Sequence, residues 1–387
     1  MKKGKELVLH VSADYPSPFD VRASTVAIGD VISASHLCYE SAVLVPKRQH
    51  ALGFTRYLRR ENELHLSFFD PLSWLGIGVR ARLDWVSIVK ERLLDGVVPV
   101  AVHSHKLSYE AKLGSELARH FDVPHLVSIR GFSDTHPRSL LPWLTRDCRD
   151  VLDRSAANLW VSAWARMPIE EKTGYRVSSK DVLFPSAIPR EIIPNERYGA
   201  QGSGRSLVCV SRLIDWRQKG IGQLIEGVGL AAGSGQLFTL DLIGRFDERS
   251  RSEIEEVIER SGAKGLVRLL GSKPREEVLQ LLGGYDVLVM TSVRETFGLV
   301  YLEALFSGLP FIYRAGSGVD GHDFAERFGY RVSSSSAADF LRTLVRCAQE
   351  WQEKRVEIEW AIESGDLHYL TSEGLQVRYC EILNAVV

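Results

Sequence analysis

At 387 residues the chain exceeds the size at which a single hydrophobic core usually stops growing, so two domains are expected. Its 45% apolar and 25% charged residues are those of a globular protein, and a net charge of -1 excludes a global attraction for nucleic acid. Five cysteines (Cys38, Cys148, Cys209, Cys347 and Cys380), odd in number and scattered without a CxxC pair, exclude a disulfide-rich scaffold and a cysteine zinc site; they read as reduced core thiols.

The N-terminus is basic, but its apolar stretch "LVLHV" is too short for a signal-peptide core and reads as a first strand. No run approaches the ~18 apolar residues of a membrane span, so a cytoplasmic protein is expected. Further strands are predicted at "YESAVLVP", "LHLSFFD", "VVPVAVHSH", "PHLVSIRG", "ANLWVSA" and "DVLFPSA", mostly separated by segments of helical period. Between the second and third of these lies "WLGIGVRARLDWVSIVKERLL", which interleaves Trp74 and Trp85 with Arg80, Arg82, Lys90 and Arg92. Core packing with a solvated basic face is the favoured reading; peripheral contact with the inner face of a membrane is the alternative.

"PSAIPREIIPNERYGAQGSGRS" is dense in Pro, Gly and polar residues and reads as an interdomain linker. A second strand series follows in "SLVCVSRL", "FTLDLIGR", "LVRLLGS", "YDVLVMTS" and "LPFIYRA", and the remaining residues read as helices. The expected domains are 1–190, a linker at 191–205, 206–365, and a C-terminal helix over 366–387 that crosses back to the first domain. Such alternation predicts an α/β architecture of two Rossmann-like, doubly wound parallel-sheet domains facing across a cleft, with ligands at the carboxyl ends of the strands.

Three stretches of the second half fall at such ends. In "VSRLIDWRQKG", Arg212 and Lys219 precede a Gly-opened helix, a pattern that fits a diphosphate site or a solvated loop. "TSVRETFGLVYLEALFSGLP" places Glu295 and Glu303 with seven residues between them, the second within an apolar run. An unpaired carboxylate there costs several kcal/mol, so it faces a wet cleft or has a partner. "AGSGVDGHD" carries Gly316, Gly318 and Gly321 in the spacing G-x-G-x-x-G, but no βαβ unit with an acidic strand end follows, so a turn lining the cleft is favoured over an NAD site.

Taken in order, "VSRLIDWRQKG", "LIGR", "GSKPREEVLQLLGGYDVLVMTS" and "ETFGLVYLEALFSGLPFI" resemble the retaining glycosyltransferases of family 4, the group 1 type with a GT-B fold. The match is strong over roughly 205–325 and looser through the first half. It implies that Arg212 and Lys219 hold the diphosphate of a nucleotide-sugar donor, with Gly244, Thr296, Phe297, Gly298 and Leu299 completing the donor pocket. Glu303 would bind the ribose hydroxyls and Glu295 would orient the sugar. Catalytic candidates on this basis are Glu295, Arg212, Lys219, His103 and His105.

No DxD motif occurs, so neither a metal nor another cofactor is expected. In the first half "YPSPFDVRAST" replaces a Gly-Gly loop, which makes Asp20 and Arg22 acceptor-side candidates, and Arg130 in "SIRGF" stands where the family often has His. The implied partners are a nucleotide-sugar donor and a glycan, glycolipid or small-molecule acceptor, in a setting such as polysaccharide or lipopolysaccharide assembly. The rival readings are a nucleotide-sugar-binding protein with lost or altered turnover and an epimerase of the same fold.

Overall fold

The structure is a computed structural model that describes residues 6–19, 26–49, 55–69, 84–135, 142–193, 202–333 and 336–387. Asp20, Arg22, Trp74, Arg80 and Arg82 lie outside the described residues. The chain divides into two compact units, Met1–Ala187 with Ser372–Val387, and Ile188–Thr371.

In the first unit the strands are β1 (Leu7–Val11), β2 (Glu40–Gln49), β3 (Arg56–Arg60), β4 (Glu63–Phe69), β5 (Ala101–Ser104), β6 (His125–Ile129), β7 (Ala157–Trp160) and β8 (Asp181–Leu183). They form one sheet in the order β3-β4-β2-β1-β5-β6-β7-β8, parallel except for β3 against β4. Apolar residues of the central strands are buried on both faces, as helix-covered parallel strands require. One face packs on Trp85, Val89, Leu93 and Leu94 and on the helix Tyr109–Phe121. Lys90 and Arg92 stay exposed, so the described part of the basic amphipathic stretch is core with a solvated face. The other face is covered by the helix Val26–Ser35 and by the C-terminal helix Ser372–Val386, through Leu375, Tyr379 and Leu383.

That return of the chain corrects the expectation of five reduced cysteines: Cys38 and Cys380, 342 residues apart in sequence, are joined by a disulfide. The C-terminal helix docks against the first helix and brings the two thiols together, a proximity that sequence spacing cannot display. Cys148, Cys209 and Cys347 are free.

The second unit contains β9 (Ser206–Val210), β10 (Thr239–Ile243), β11 (Val267–Gly271), β12 (Val287–Met290), β13 (Phe311–Arg314) and β14 (Gly329–Val332) in the order β11-β10-β9-β12-β13-β14, all parallel. β14 corrects the reading of the residues after "AGSGVDGHD" as helices. Its four residues pair with β13 at the sheet edge and are too short to stand out from the helical pattern around them. No acidic residue closes β14, and Gly316, Gly318 and Gly321 all have positive φ, so "GSGVDG" is a turn.

Both sheets are doubly wound. The strand order reverses between β1 and β5 in the first and between β9 and β12 in the second, and the crevice outside the carboxyl ends at such a reversal is where open α/β sheets bind ligands. Among the described residues, no helix is long and apolar enough to cross a membrane.

Candidate active site

In the second unit, the loop after β9 carries Arg212 and Lys219, and the loop after β12 carries Glu295 through Gly298. These are the two strands that flank the reversal. Two hydrogen bonds tie these loops together, and a third joins the Glu295 loop to the turn after β13. Val293 N donates to Gln218 O at 2.9 Å, Thr291 Oγ1 donates to Gly220 O at 3.2 Å, and Gly318 N donates to Glu295 O at 2.9 Å. The turn after β13 therefore supports the Glu295 loop, and Ser317 Oγ accepts from Glu295 N at 3.0 Å.

Two glycines are needed here for geometric reasons. Gly244, just after β10, has φ of 150°, and a Cβ on it would lie 1.7 Å from Ser211 O, so only glycine lets the β9 and β10 ends approach this closely. Gly298 has φ of 83° and precedes the helix Leu299–Phe306; a Cβ there would press on the Tyr301 ring at 2.9 Å. With Gly298 in that conformation the helix starts abruptly, and the first amides of the helix lack intrahelical acceptors. Those amides and the helix dipole favour an anion at this end. Phe297 is buried against His322 in an edge-on contact at 5.4 Å, which holds the preceding residues in place. Thr296 and Leu299 are half-buried beside it.

The charged residues pair in a way that sequence spacing does not give. Lys219 Nζ donates to Glu295 Oε2 at 2.7 Å, both side chains being less than one-fifth exposed. Arg212 is largely exposed and pairs with Asp215, three residues on, in a contact of the kind that contributes little to stability. Glu303 is buried and accepts from Arg275 Nε at 2.9 Å and Nη2 at 2.7 Å. Arg275, at the start of the helix Arg275–Leu282, was not among the sequence candidates; the only trace of it is a cation opening "REEVLQLL".

The histidine candidates lie in the first unit. His103 on β5 and His105 just beyond it are fully buried, and His10 on β1 pairs in register with His103. His103 hydrogen-bonds through Nδ1 to Tyr379 Oη at 2.5 Å and through Nε2 to Ser128 Oγ at 2.9 Å, and His10 Nδ1 lies 3.1 Å from His105 Nε2. Burial pushes His10 down to about 3 and holds His103 and His105 well below the usual imidazole range, with the neighbouring histidines and Arg130 adding to the effect.

These three rings present nitrogens within 4.8 Å of one another. Both nitrogens of His103 already serve hydroxyl groups and one nitrogen of His10 meets His105, so the trio fits a neutral hydrogen-bonded network better than a metal-ligand set. Sequence reasoning named two of the three. His10 was missed because "LVLHV" reads as strand core, and only the register between β1 and β5 brings it beside His103.

Arg130 follows β6 and is likewise buried. Its backbone N–H donates to Asp134 Oδ2 at 2.8 Å, while its side-chain Nε and Nη2 have no hydrogen-bond partner among the described residues. Arg212, Lys219, Gly244, Glu295 and the 296–299 segment thus gather at the carboxyl ends of the central strands of the second sheet, with Glu303 held in the following helix by Arg275. His103, His105 and Arg130 belong to the first unit.

Residues 204–350 match the family model described as "Glycosyl transferases group 1". Over 107 residues the chain is 34% identical to the UDP-N-acetylglucosamine–peptide N-acetylglucosaminyltransferase GtfA subunit of Streptococcus parasanguinis, a match spanning 28% of this chain and 19% of that protein. Over 196 residues it is 26% identical to the 2-deoxystreptamine glucosyltransferase of Streptomyces kanamyceticus, covering 48% of each. The matched regions therefore span less than half the length of these curated relatives. Among solved structures, Anabaena HepE in complex with UDP superposes with a TM-score of 0.66 at 13% identity, over 98% of this chain and all of that one. Residues 204–350 are thus similar to group 1 glycosyl transferases, within a chain that has the GT-B fold.

Proposed function

We propose that the chain is a retaining glycosyltransferase that moves a sugar from a nucleoside diphosphate sugar to a hydroxyl group of a glycan, glycolipid or small-molecule acceptor, with no metal at the diphosphate. The observation that carries this reading is the Lys219–Glu295 pair beside the Leu299–Phe306 helix start, at the strand reversal of the second sheet. A cation, free amides and a carboxylate converge there, which suits a ligand with both phosphate and hydroxyl groups.

As the glycosidic bond breaks, negative charge grows on the departing diphosphate. Lys219, the 297–299 amides and Arg212, which needs only to leave its exposed contact with Asp215, stabilise that charge and take the place of a metal ion. Glu295, anchored by Lys219, accepts from sugar hydroxyls, and Glu303, fixed by Arg275, accepts from the ribose. The relatives named for UDP-N-acetylglucosamine and the HepE complex with UDP make uridine the first base to test.

The test is a thermal-shift panel of UDP, GDP, ADP, TDP and NAD in chelator, on wild type and Glu303→Gln. Ligand at a hundredfold excess over Kd stabilises the native state by about 2.7 kcal/mol. One nucleoside diphosphate should raise the melting temperature of wild type alone. A response to none of them, or to NAD only, would sink the donor-site assignment.

A further inference from the structure

At the strand reversal of the first sheet, several buried hydrogen-bonding side-chain atoms have no partner among the described residues. Arg130 leaves Nε and Nη2 unpartnered at the end of β6, His105 leaves Nδ1 beyond β5, and Ser12 leaves Oγ beyond β1. β1, β5 and β6 are adjacent, so all three residues sit at the carboxyl ends of neighbouring strands. A buried guanidinium that leaves two donors unmade is costly, and burial pulls Arg130 below its ordinary value. Retaining such a group implies that something meets it.

Which edge is unpartnered identifies what that something is. Nε and Nη2 form the side-on fork of a guanidinium, whose two parallel N–H bonds match the two oxygens of a carboxylate or phosphate. The chain uses the same edge elsewhere: Arg268 grips Asp241 through Nε and Nη2, each at 2.6 Å, and Arg275 holds Glu303 through the same two atoms.

Of the described acids near Arg130, Asp14 and Asp134 have other partners, whereas Glu110 leaves Oε2 unpartnered. Asp14 pairs with Lys106. Asp134 accepts the backbone N–H groups of Leu107 at 3.1 Å and Arg130 at 2.8 Å. Glu110 is pushed up to about 8 by burial, so at pH 7 it is mostly neutral and does not repel an incoming anion. His10 Nδ1 and His105 Nε2 share one hydrogen bond at 3.1 Å, and in the tautomer in which His10 donates, the proton of the neutral His105 ring sits on Nδ1 as one more donor.

We propose that Arg130, with His105 and Ser12 beside it, binds an oxyanion carried by the sugar substrate, a carboxylate or a phosphate, so that this enzyme handles an acidic sugar. The proposal rests on the glycosyltransferase reading for the word substrate, but not for the binding itself.

Ligand-observed NMR titration of the full chain with glucuronate, glucose 6-phosphate and glucose tests it. UDP-induced thermal stabilisation, read in parallel, reports independently on the second unit, so a failure of the donor reading and a failure of this one are distinguishable. At least one acidic sugar should bind wild type ten times more tightly than glucose, and which acid does so tells carboxylate from phosphate. Arg130→Gln should erase that preference and keep its UDP response. If Arg130→Gln does not fold, Arg130→Lys carries the test: it keeps the charge, loses the fork, and should weaken acid binding at least fivefold. Equal binding of glucose and both acids to wild type overturns the proposal, and so does an acid preference that survives in the folded Arg130 variant.

Discussion

Lys219 and Glu295, 76 residues apart in sequence, meet at 2.7 Å across the two strand ends where the order of the second sheet reverses. Each side chain holds the other in place, so each is expected to matter for positioning as well as for charge. Lys219→Ala and Glu295→Gln should each lower turnover by about 100-fold or more, as loss of one preorganised electrostatic group does. Stability should change by only about 1 kcal/mol, because both groups keep some contact with water. Release of nucleoside diphosphate with a mixed acceptor panel, read beside thermal melts, checks both halves. Wild-type turnover in either variant would remove the pair from the mechanism.

Arg275 and Glu303 form the second pair. Arg275→Ala leaves the Glu303 carboxylate buried without its cation, at a cost of about 1 to 3 kcal/mol. Glu303→Gln keeps the shape and loses the charge, so it should be milder for stability. Both should weaken the nucleotide-induced thermal shift if Glu303 must be oriented to accept from a ribose. A variant with Arg275→Ala that melts lower yet binds nucleotide as tightly as wild type would confine the pair to a structural role.

How far these pairs could be read in advance follows from what each needs. The alternation of apolar strands and helices, and the strand-end positions of Lys219 and Glu295, depend on local pattern and were legible. Arg275 was not, because a cation opening a helix has no periodic signature and its partner lies 28 residues on. β3, "RYLRR", escaped because it is an edge strand of mostly exposed charged residues without apolar alternation, and it pairs antiparallel in an otherwise parallel sheet. His10 beside His103, and Cys38 beside Cys380, depend on strand register and on the return of the C-terminal helix, which no local pattern encodes.

The disulfide ties the first helix region to the last helix of the chain. Closing so long a loop restricts the unfolded chain, and removing it is expected to cost about 2 to 4 kcal/mol. Cys380→Ser should therefore melt lower than wild type under non-reducing conditions, with thiol titration rising by one group, from Cys38. A reductant should lower the melting temperature of wild type and leave the variant unchanged. Equal melting of the two proteins without reductant would mean that the packing of Leu375, Tyr379 and Leu383 alone secures the helix.

Acidification should unfold the first unit ahead of ordinary acid denaturation. Burial depresses His10 and His125 to about 3, and His103 and His105 well below the usual value near 6.5. Between those limits the unfolded chain binds a proton at each site and the folded chain does not, so stability is complete above about 6.5 and falls as pH falls. Each such group contributes a slope of about 1.4 kcal/mol per pH unit. Two buried acids act in the opposite sense: Glu110, raised to about 8, and Asp134, raised to about 6, bind protons preferentially when folded and so favour the native state on the acid side. Four histidines against two carboxyl groups leave a net loss of stability from pH 6 to pH 4.5. Denaturant midpoints measured at half-unit steps should fall across that window, and His125→Asn should flatten the fall by about one proton. Glu110→Gln should steepen it, since the protonation that offsets the histidines is gone. A midpoint that stays level from pH 7 to pH 4.5 would mean that the histidines are already charged in the folded protein, and the neutral network around His10, His103 and His105 would have to be abandoned.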